Sequence, residues 1–238
     1  MAFRLRKEKK NLVEDSHLVL PDSDGAPAQI FPVELIESMR KLLSRLSRED
    51  SFPSSLAVVG ALRQEGVTTI SRALAATLAY DLAARVCLVE LNWWWPSSPF
   101  LSSSNDEGLN GLLGHSPLQE VLIYSGWPNL AYLPAGQVRR LDRPVVARSD
   151  SLKVSIAALG RQFDHLVLDI PAILATNDGA VLAGLAQSTC LVIRQGATHT
   201  NDVRRALDEI EHLNIAGVAL NKIVQKTPKL LTDFFPAV

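Results

Sequence analysis

An α/β fold with a doubly wound, mostly parallel sheet is predicted by three features of the sequence. Short apolar runs of strand length recur at residues 56–60, 86–91, 165–169, 189–194 and 215–221, and segments of helical periodicity separate them. Two of these runs carry an acid at their far end, Glu90 in one and Asp169 in the other, as parallel strands do when they deliver carboxylates to one edge of a sheet. The first run leads through a polar turn into an alanine-rich helix at residues 70–84, the layout in which backbone N–H groups at a helix N-terminus hold phosphate oxygens.

Taken in order, residues 1–30 open with Arg4, Arg6, Lys7, Lys9 and Lys10 and continue through Pro21-Asp22-Ser23-Asp24-Gly25-Ala26-Pro27. Charge, proline and glycine disfavour packing, so a basic, disordered tail is expected here. From Pro32 to Arg48 the apolar residues Val33, Ile36, Met39, Leu42, Leu43 and Leu46 recur at helical spacing, and Ser51-Phe52-Pro53-Ser54-Ser55 ends that amphipathic helix. The strand at 56–60 and its helix follow, then the strand at 86–91. Trp93-Trp94-Trp95 come next; three consecutive indoles at a strand exit cannot all face one way, so at least one is expected to stay partly exposed. Residues 97–114, rich in serine, asparagine and glycine, read as a long loop, 118–124 as a short helix, and 130–136 as a strand and turn. Residues 151–163 are helical by periodicity, 165–169 form a strand, 178–185 a helix, 189–194 a strand, 201–213 an amphipathic helix and 215–221 the last strand. The expected division is a tail at 1–30, one domain at 31–225 and a C-terminal tail at 226–238.

Composition bounds the function. With 238 residues, 47% of them hydrophobic, the chain can bury a sizeable single core. A formal net charge of -1 argues against general nucleic-acid binding, which needs a basic excess to release counterions. The basic head leaves a local anionic partner such as a lipid surface open, the alternative being a solvated tail. Cys87 and Cys190 sit inside apolar runs and read as small buried thiols; no disulfide and no metal cluster is expected, and the five histidines share no ligand spacing. The head lacks an apolar run of the kind secretory signals carry, and no apolar stretch is long enough to span a bilayer, so the expected location is cytoplasmic, at most at the inner face of the membrane.

The candidate phosphate site departs from its pattern. Where G-x-x-x-x-G-K-[ST] demands lysine after the second glycine, Val67 follows Gly66, and the first glycine falls on Ala61. Candidate nucleotide-binding residues in this loop are Arg63, Gln64, Glu65, Gly66, Val67, Thr68 and Thr69, with the Thr68 hydroxyl a candidate magnesium ligand. The competing reading is a strand-to-helix turn that kept its shape and lost its ligand. Arg63 is a candidate substitute cation, since a guanidinium suits phosphate.

These residues together resemble the cytoplasmic ATPase domain of the bacterial tyrosine kinases of capsular and exopolysaccharide synthesis, within the P-loop group that includes chromosome-partition and cell-division-site ATPases. The resemblance spans residues 32–222. The family's A-x-P-G-E-G-K-S-T loop corresponds to the stretch ending Arg63-Gln64-Glu65-Gly66-Val67-Thr68-Thr69, which keeps the glutamate, the second glycine and the final threonine, with Thr68 conservatively replacing the magnesium-binding serine. A second motif, D-x-D followed by R-R-P, corresponds to Glu90-Leu91-Asn92 and the tryptophans, where both aspartates and both arginines are replaced. A third, D-T-P-P, corresponds to Asp169-Ile170-Pro171-Ala172 and keeps its acid. Asp178, Arg194 and Asn221 fall on further family positions, and the resemblance implies Asn221 as a nucleotide-binding residue beside the base, Asp169 with Thr68 as magnesium ligands, and Asp169 and Glu90 as the catalytic acids. Glu37 and Arg40 match the start of the E-x-x-R-x-x-R helix that joins neighbouring subunits, and Leu43 replaces its last arginine. The tyrosines that close the family's kinases are absent from residues 228–238.

The resemblance therefore implies a degenerate relative acting as a regulatory or scaffolding component of exopolysaccharide or capsule assembly, without phosphoryl transfer. It implies ATP or ADP with magnesium as weakly held cofactors, or none at all. The implied partners are a membrane-embedded polysaccharide co-polymerase or activator, a homologous kinase, or a second copy met through the helix at 33–48. The alternatives are an active tyrosine kinase or ATPase, and a membrane-associated positioning ATPase.

Overall fold

The computed structural model describes residues 13–14, 17–47, 52–96, 99–101, 107–114 and 116–222. Its centre is a seven-stranded sheet of β4 (Ser55–Gly60), β5 (Val86–Glu90), β6 (Ile123–Tyr124), β7 (Leu130–Leu133), β8 (His165–Asp169), β9 (Ser188–Arg194) and β10 (Ile215–Asn221), in the order β10-β9-β4-β8-β5-β7-β6. Every pairing is parallel except that of β6 with β7 at one edge. The strands alternate between two cores: Ala57, Val59, Cys87, Val89, Leu166 and Leu168 enter one, Leu56, Val58, Val86, Leu88 and Val167 the other. A sheet buried on both faces needs apolar residues at nearly every strand position, which is why these runs lack a polar alternation.

The helices are α1 (Val33–Leu46), α2 (Val67–Asp81), α3 (Gly108–Leu113), α4 (Leu118–Val121), α5 (Arg143–Ala147), α6 (Asp150–Gln162), α7 (Gly179–Ala183) and α8 (Thr200–Glu209). α1 buries Ile36, Met39, Leu43 and Leu46 in the same core as α2. α6 starts where the hydroxyl of Ser149 accepts a hydrogen bond from the Leu152 N–H at 3.2 Å. Between them, the crossovers leave β4 and β8 adjacent at the centre, so the loops at their carboxyl ends share one crevice.

Three expectations need correction. Residues 17–32 are not a disordered tail: β2 (His17–Pro21) and β3 (Pro27–Pro32) form an antiparallel hairpin, to which β1 (Val13–Glu14) adds a short third strand. The segment that reads as disorder is its turn, where Asp22 Oδ1 accepts from the Asp24 and Ala26 N–H groups and Gly25 takes φ +85°. Leu18, Leu20 and Phe31 anchor the hairpin in the α1–α2 core. Second, part of the expected 97–114 loop is α3, which buries Leu109 and Leu112. Third, the 118–124 segment divides into α4 and the edge strand β6. α5 lies in a stretch to which the sequence assigned no element. The basic residues at 4–10 and the tail at 226–238 lie outside the described residues.

Candidate nucleotide site

β4 ends at Gly60 and α2 begins at Val67; residues 61–66 between them curl over the sheet edge. Glu65 is buried beneath this loop. Its Oε2 accepts the Leu62 N–H at 2.9 Å, and its Oε1 accepts the hydroxyl of Thr198 from the turn after β9. Gly60 has to be glycine, because a Cβ there would stand 2.7 Å from Glu65 Oε2. Gly66 has φ +93°, and its Cβ would stand 2.1 Å from Asn221 Nδ2, the atom that donates to the Glu65 carbonyl at 2.7 Å. The loop is thus held from inside by a carboxylate and from the side by the last residue of β10.

Residues 62–69, with Asn92, Trp95, Ile170 and Ala172, line a cavity of about 210 Å³. All seven loop residues expected to bind nucleotide, Arg63 through Thr69, meet there. Asn221 lies behind the loop and supports it. Val67 packs partly buried against the α1–α2 core, its Cγ2 3.0 Å from the Cβ position of Gly60. Its isopropyl group is an ordinary packing residue at the point where a phosphate would meet an ammonium. The nearest cation lining the cavity, Arg63, stacks on Trp95, its Cζ 4.3 Å from the ring centroid.

Beneath the cavity, Glu90 and Asp169 are direct register neighbours on β5 and β8, so both acids reach the same sheet edge, as their positions in the sequence require. Asp169 is 2% exposed; Thr68 hydrogen-bonds one side of its carboxyl group, while Oδ1 has no hydrogen-bond partner. Burial, with a smaller contribution from the Glu90 charge, pushes this carboxyl up to about 7, against the opposing effects of Thr68 and Arg72. Glu90 faces elsewhere. It accepts a hydrogen bond from the hydroxyl of Tyr132 on β7, whose own ionisation is suppressed by burial and by the adjacent carboxylate. Asn92 is occupied locally: it exchanges 3.3 Å hydrogen bonds with the backbone of Trp95.

The tryptophans divide as expected. Trp93 is buried and donates Nε1–H to the Ala135 carbonyl at 2.9 Å, whereas Trp94 and Trp95 remain half-exposed. Asp178 and Arg194 lie away from the cavity lining: Asp178 is buried in an ion pair with Arg148, and Arg194 closes β9 with its N–H 3.3 Å from Thr198 Oγ1. Arg40 makes a two-pronged pair with Asp81 of α2, at 2.8 and 2.9 Å, and Leu43 is core. Thr198 and Tyr132 escaped sequence reading. A hydroxyl in an otherwise apolar strand beside an acid-bearing strand was the available signal for Tyr132; Thr198 gave none.

No family profile matches the chain. The tyrosine-protein kinase Etk of Escherichia coli strain K12 is 25% identical over 230 residues, which span 94% of this chain and 31% of that protein. The kinase domain of Escherichia coli ETK superposes with a TM-score of 0.71 at 25% identity, over 83% of this chain and 78% of that one. This chain is related to the bacterial tyrosine-protein kinases. It spans about a third of the full Etk protein, whereas the similarity to the shorter kinase CpsD of Streptococcus agalactiae, 27% identical over 173 residues, covers 71% of this chain and 75% of that relative. The septum site-determining protein MinD of Pyrococcus horikoshii, solved with Mg-ADP, superposes with a TM-score of 0.56 at 19% identity over 77% of this chain and 78% of that one, which shows the shared fold. Among the described residues of this tyrosine-kinase relative, no helix is long and apolar enough to cross a membrane.

Proposed function

We propose that this tyrosine-kinase relative is a regulatory or scaffolding component of exopolysaccharide or capsule biosynthesis that does not transfer phosphoryl groups. The observation that carries the reading is Val67, partly buried against the core and lining the cavity where the phosphates of a nucleotide would need a cation. In phosphoryl transfer the lysine of this loop steadies the β- and γ-phosphates and the charge that develops on them. Removing a charge-assisted contact costs roughly 1.5 to 3 kcal/mol in binding, and more in the transition state, where such contacts strengthen. Two further features support it: Glu90 is held by Tyr132, and Asn92, with no charge, is folded back onto Trp95.

Thr68 and the unpartnered Oδ1 of Asp169 suit a magnesium ion and are the groups that would hold one. That pair favours a second reading, in which magnesium-nucleotide still binds and is sensed without turnover. When bound, the metal would neutralise phosphate charge; the chain's own part is to present the Thr68 hydroxyl, the Asp169 carboxylate and the loop N–H groups. The partner proposed is a membrane-embedded activator or a homologous kinase.

The test is magnesium-dependent ATP hydrolysis by the full chain, beside calorimetric titration with ADP and ATP. Hydrolysis at the level of a protein-free blank is expected, and Val67→Lys alone restores little because Glu90 and Asn92 remain. Turnover by the unmodified chain that disappears in Asp169→Asn would overturn the reading.

A further inference from the structure

A second, larger concavity adjoins the nucleotide site. It is an open groove of about 770 Å³ between the indoles of Trp94 and Trp95, the α5 turn and the segment 175–178, and Trp95 lines both it and the P-loop cavity. Residues 139–148 contain four arginines, Arg139, Arg140, Arg143 and Arg148, against the single acid Asp142, in a chain whose formal charge is -1. Arg139 pairs with Asp142 at 2.6 Å, and Arg148 pairs with Asp178. Arg140, on the groove wall, and Arg143, beside it, have no acidic partner among the described residues; Arg143 donates its Nε–H to the Val138 carbonyl at 3.1 Å, and its guanidinium carbon lies 5.9 Å from the Trp94 ring centroid. Apolar side chains stand among these charges: Leu141 is 90% exposed and Val145 is 70% exposed.

Isolated exposed leucines are ordinary on a protein surface. Leu141 and Val145, beside two half-exposed indoles and two guanidinium groups without an acidic partner among the described residues, are not isolated. Tryptophan and arginine are the side chains that dominate binding energy at protein interfaces, and an uncompensated positive rim selects a negative partner. An anionic saccharide would satisfy the arginines and could stack on the indoles, but it has nothing to place against Leu141 and Val145. From this combination we infer that the groove docks an acidic peptide segment of a partner protein, one that carries an aromatic or aliphatic side chain between its carboxylates. The carboxylates meet Arg140 and Arg143, and the apolar side chain lies on Trp94 and Trp95 with Leu141 and Val145 closing over it. Such docking deepens the scaffolding reading and rests on it. Peptide binding is read without nucleotide, so the two readings fail separately.

The test is fluorescence anisotropy of a labelled glutamate–tyrosine copolymer with the full chain at near-physiological salt. Poly-glutamate of equal length and heparin serve as competitors. The copolymer should bind more tightly than either competitor. Arg140→Glu, and separately the pair Leu141→Ser with Val145→Ser, should each weaken it about thirtyfold, the scale of one interface hot spot. Arg204→Glu, on the exposed side of α8, should leave binding unchanged. All the substituted side chains are exposed, so melting temperatures should match the parent and loss of fold is separately visible. A copolymer no tighter than poly-glutamate, binding indifferent to Arg140→Glu, or heparin binding tighter with no dependence on Leu141 and Val145, would overturn the inference.

Discussion

Replacing Gly66 with alanine tests the physical core of the site, because two independent costs fall on one methyl group. The residue has φ +93°, where an L side chain pays roughly 1 to 2 kcal/mol in backbone conformation. The new Cβ would also stand 2.1 Å from Asn221 Nδ2, so the carboxamide must leave the Glu65 carbonyl it now reaches at 2.7 Å, at a cost of about 0.5 to 1.5 kcal/mol. Together Gly66→Ala should destabilise the chain by about 1.5 to 3.5 kcal/mol, or roughly 3 to 14 °C in melting temperature for a domain of this size. Urea denaturation of the single variants and of Gly66→Ala with Asn221→Ala separates the two costs. Asn221→Ala alone loses that hydrogen bond and the one its Oδ1 accepts from the Lys222 N–H at 2.8 Å, with no backbone strain added. The double variant should therefore fall short of additivity by about 1 kcal/mol, since the first substitution has already expelled the carboxamide. Strict additivity, or a loss below about 0.5 kcal/mol for Gly66→Ala, would show that the loop is not braced by the last strand and would refute the reasoning.

Three further outcomes follow from the same geometry. Burial pushes the Asp169 carboxyl up to about 7, well above the ordinary carboxylate range, so the native state holds its proton more tightly than the unfolded chain; its contribution is fully present below the unfolded value and lost as pH rises through the folded one. Asp169→Asn removes that loss, so in urea denaturation it should stabilise the chain at about pH 8 far more than at about pH 4, by at most about 4 kcal/mol, and parallel pH profiles for parent and variant would contradict the burial argument. Tyr132→Phe withdraws the hydroxyl from the buried Glu90 carboxylate and should cost about 1 to 3 kcal/mol in urea denaturation, whereas Tyr132→Phe with Glu90→Gln should recover part of it. Arg40→Ala breaks a largely exposed pair with Asp81 and should cost no more than about 1 kcal/mol, with the difference vanishing in high salt.

Much of the fold was legible because its signals are local. Residues 165–169 and 215–221 read as strands from their apolar runs, and the two acid-ended runs placed Glu90 and Asp169 on one edge, where the β5–β8 register sets them side by side. The hairpin at 17–32 was missed because its turn, rich in proline, aspartate and glycine, has the composition of disorder; what orders it is Leu18, Leu20 and Phe31 entering a core built by distant helices. α3 was hidden in the same way by the serines and glycines around it. Within the site, the residues that line the cavity were read from one contiguous stretch, whereas Thr198, Tyr132 and the stacking of Arg63 on Trp95 join segments far apart in the chain.

The sequence by itself determined that a strand, a turn and a helix make a phosphate-type loop, and that its lysine is absent, since both facts are written in consecutive residues. Only the tertiary structure decided what the remaining polar groups do. Side-chain partners are chosen by strand order and register: these turn Glu90 to Tyr132, set Asn221 against Gly66, and leave one oxygen of Asp169 buried without a donor.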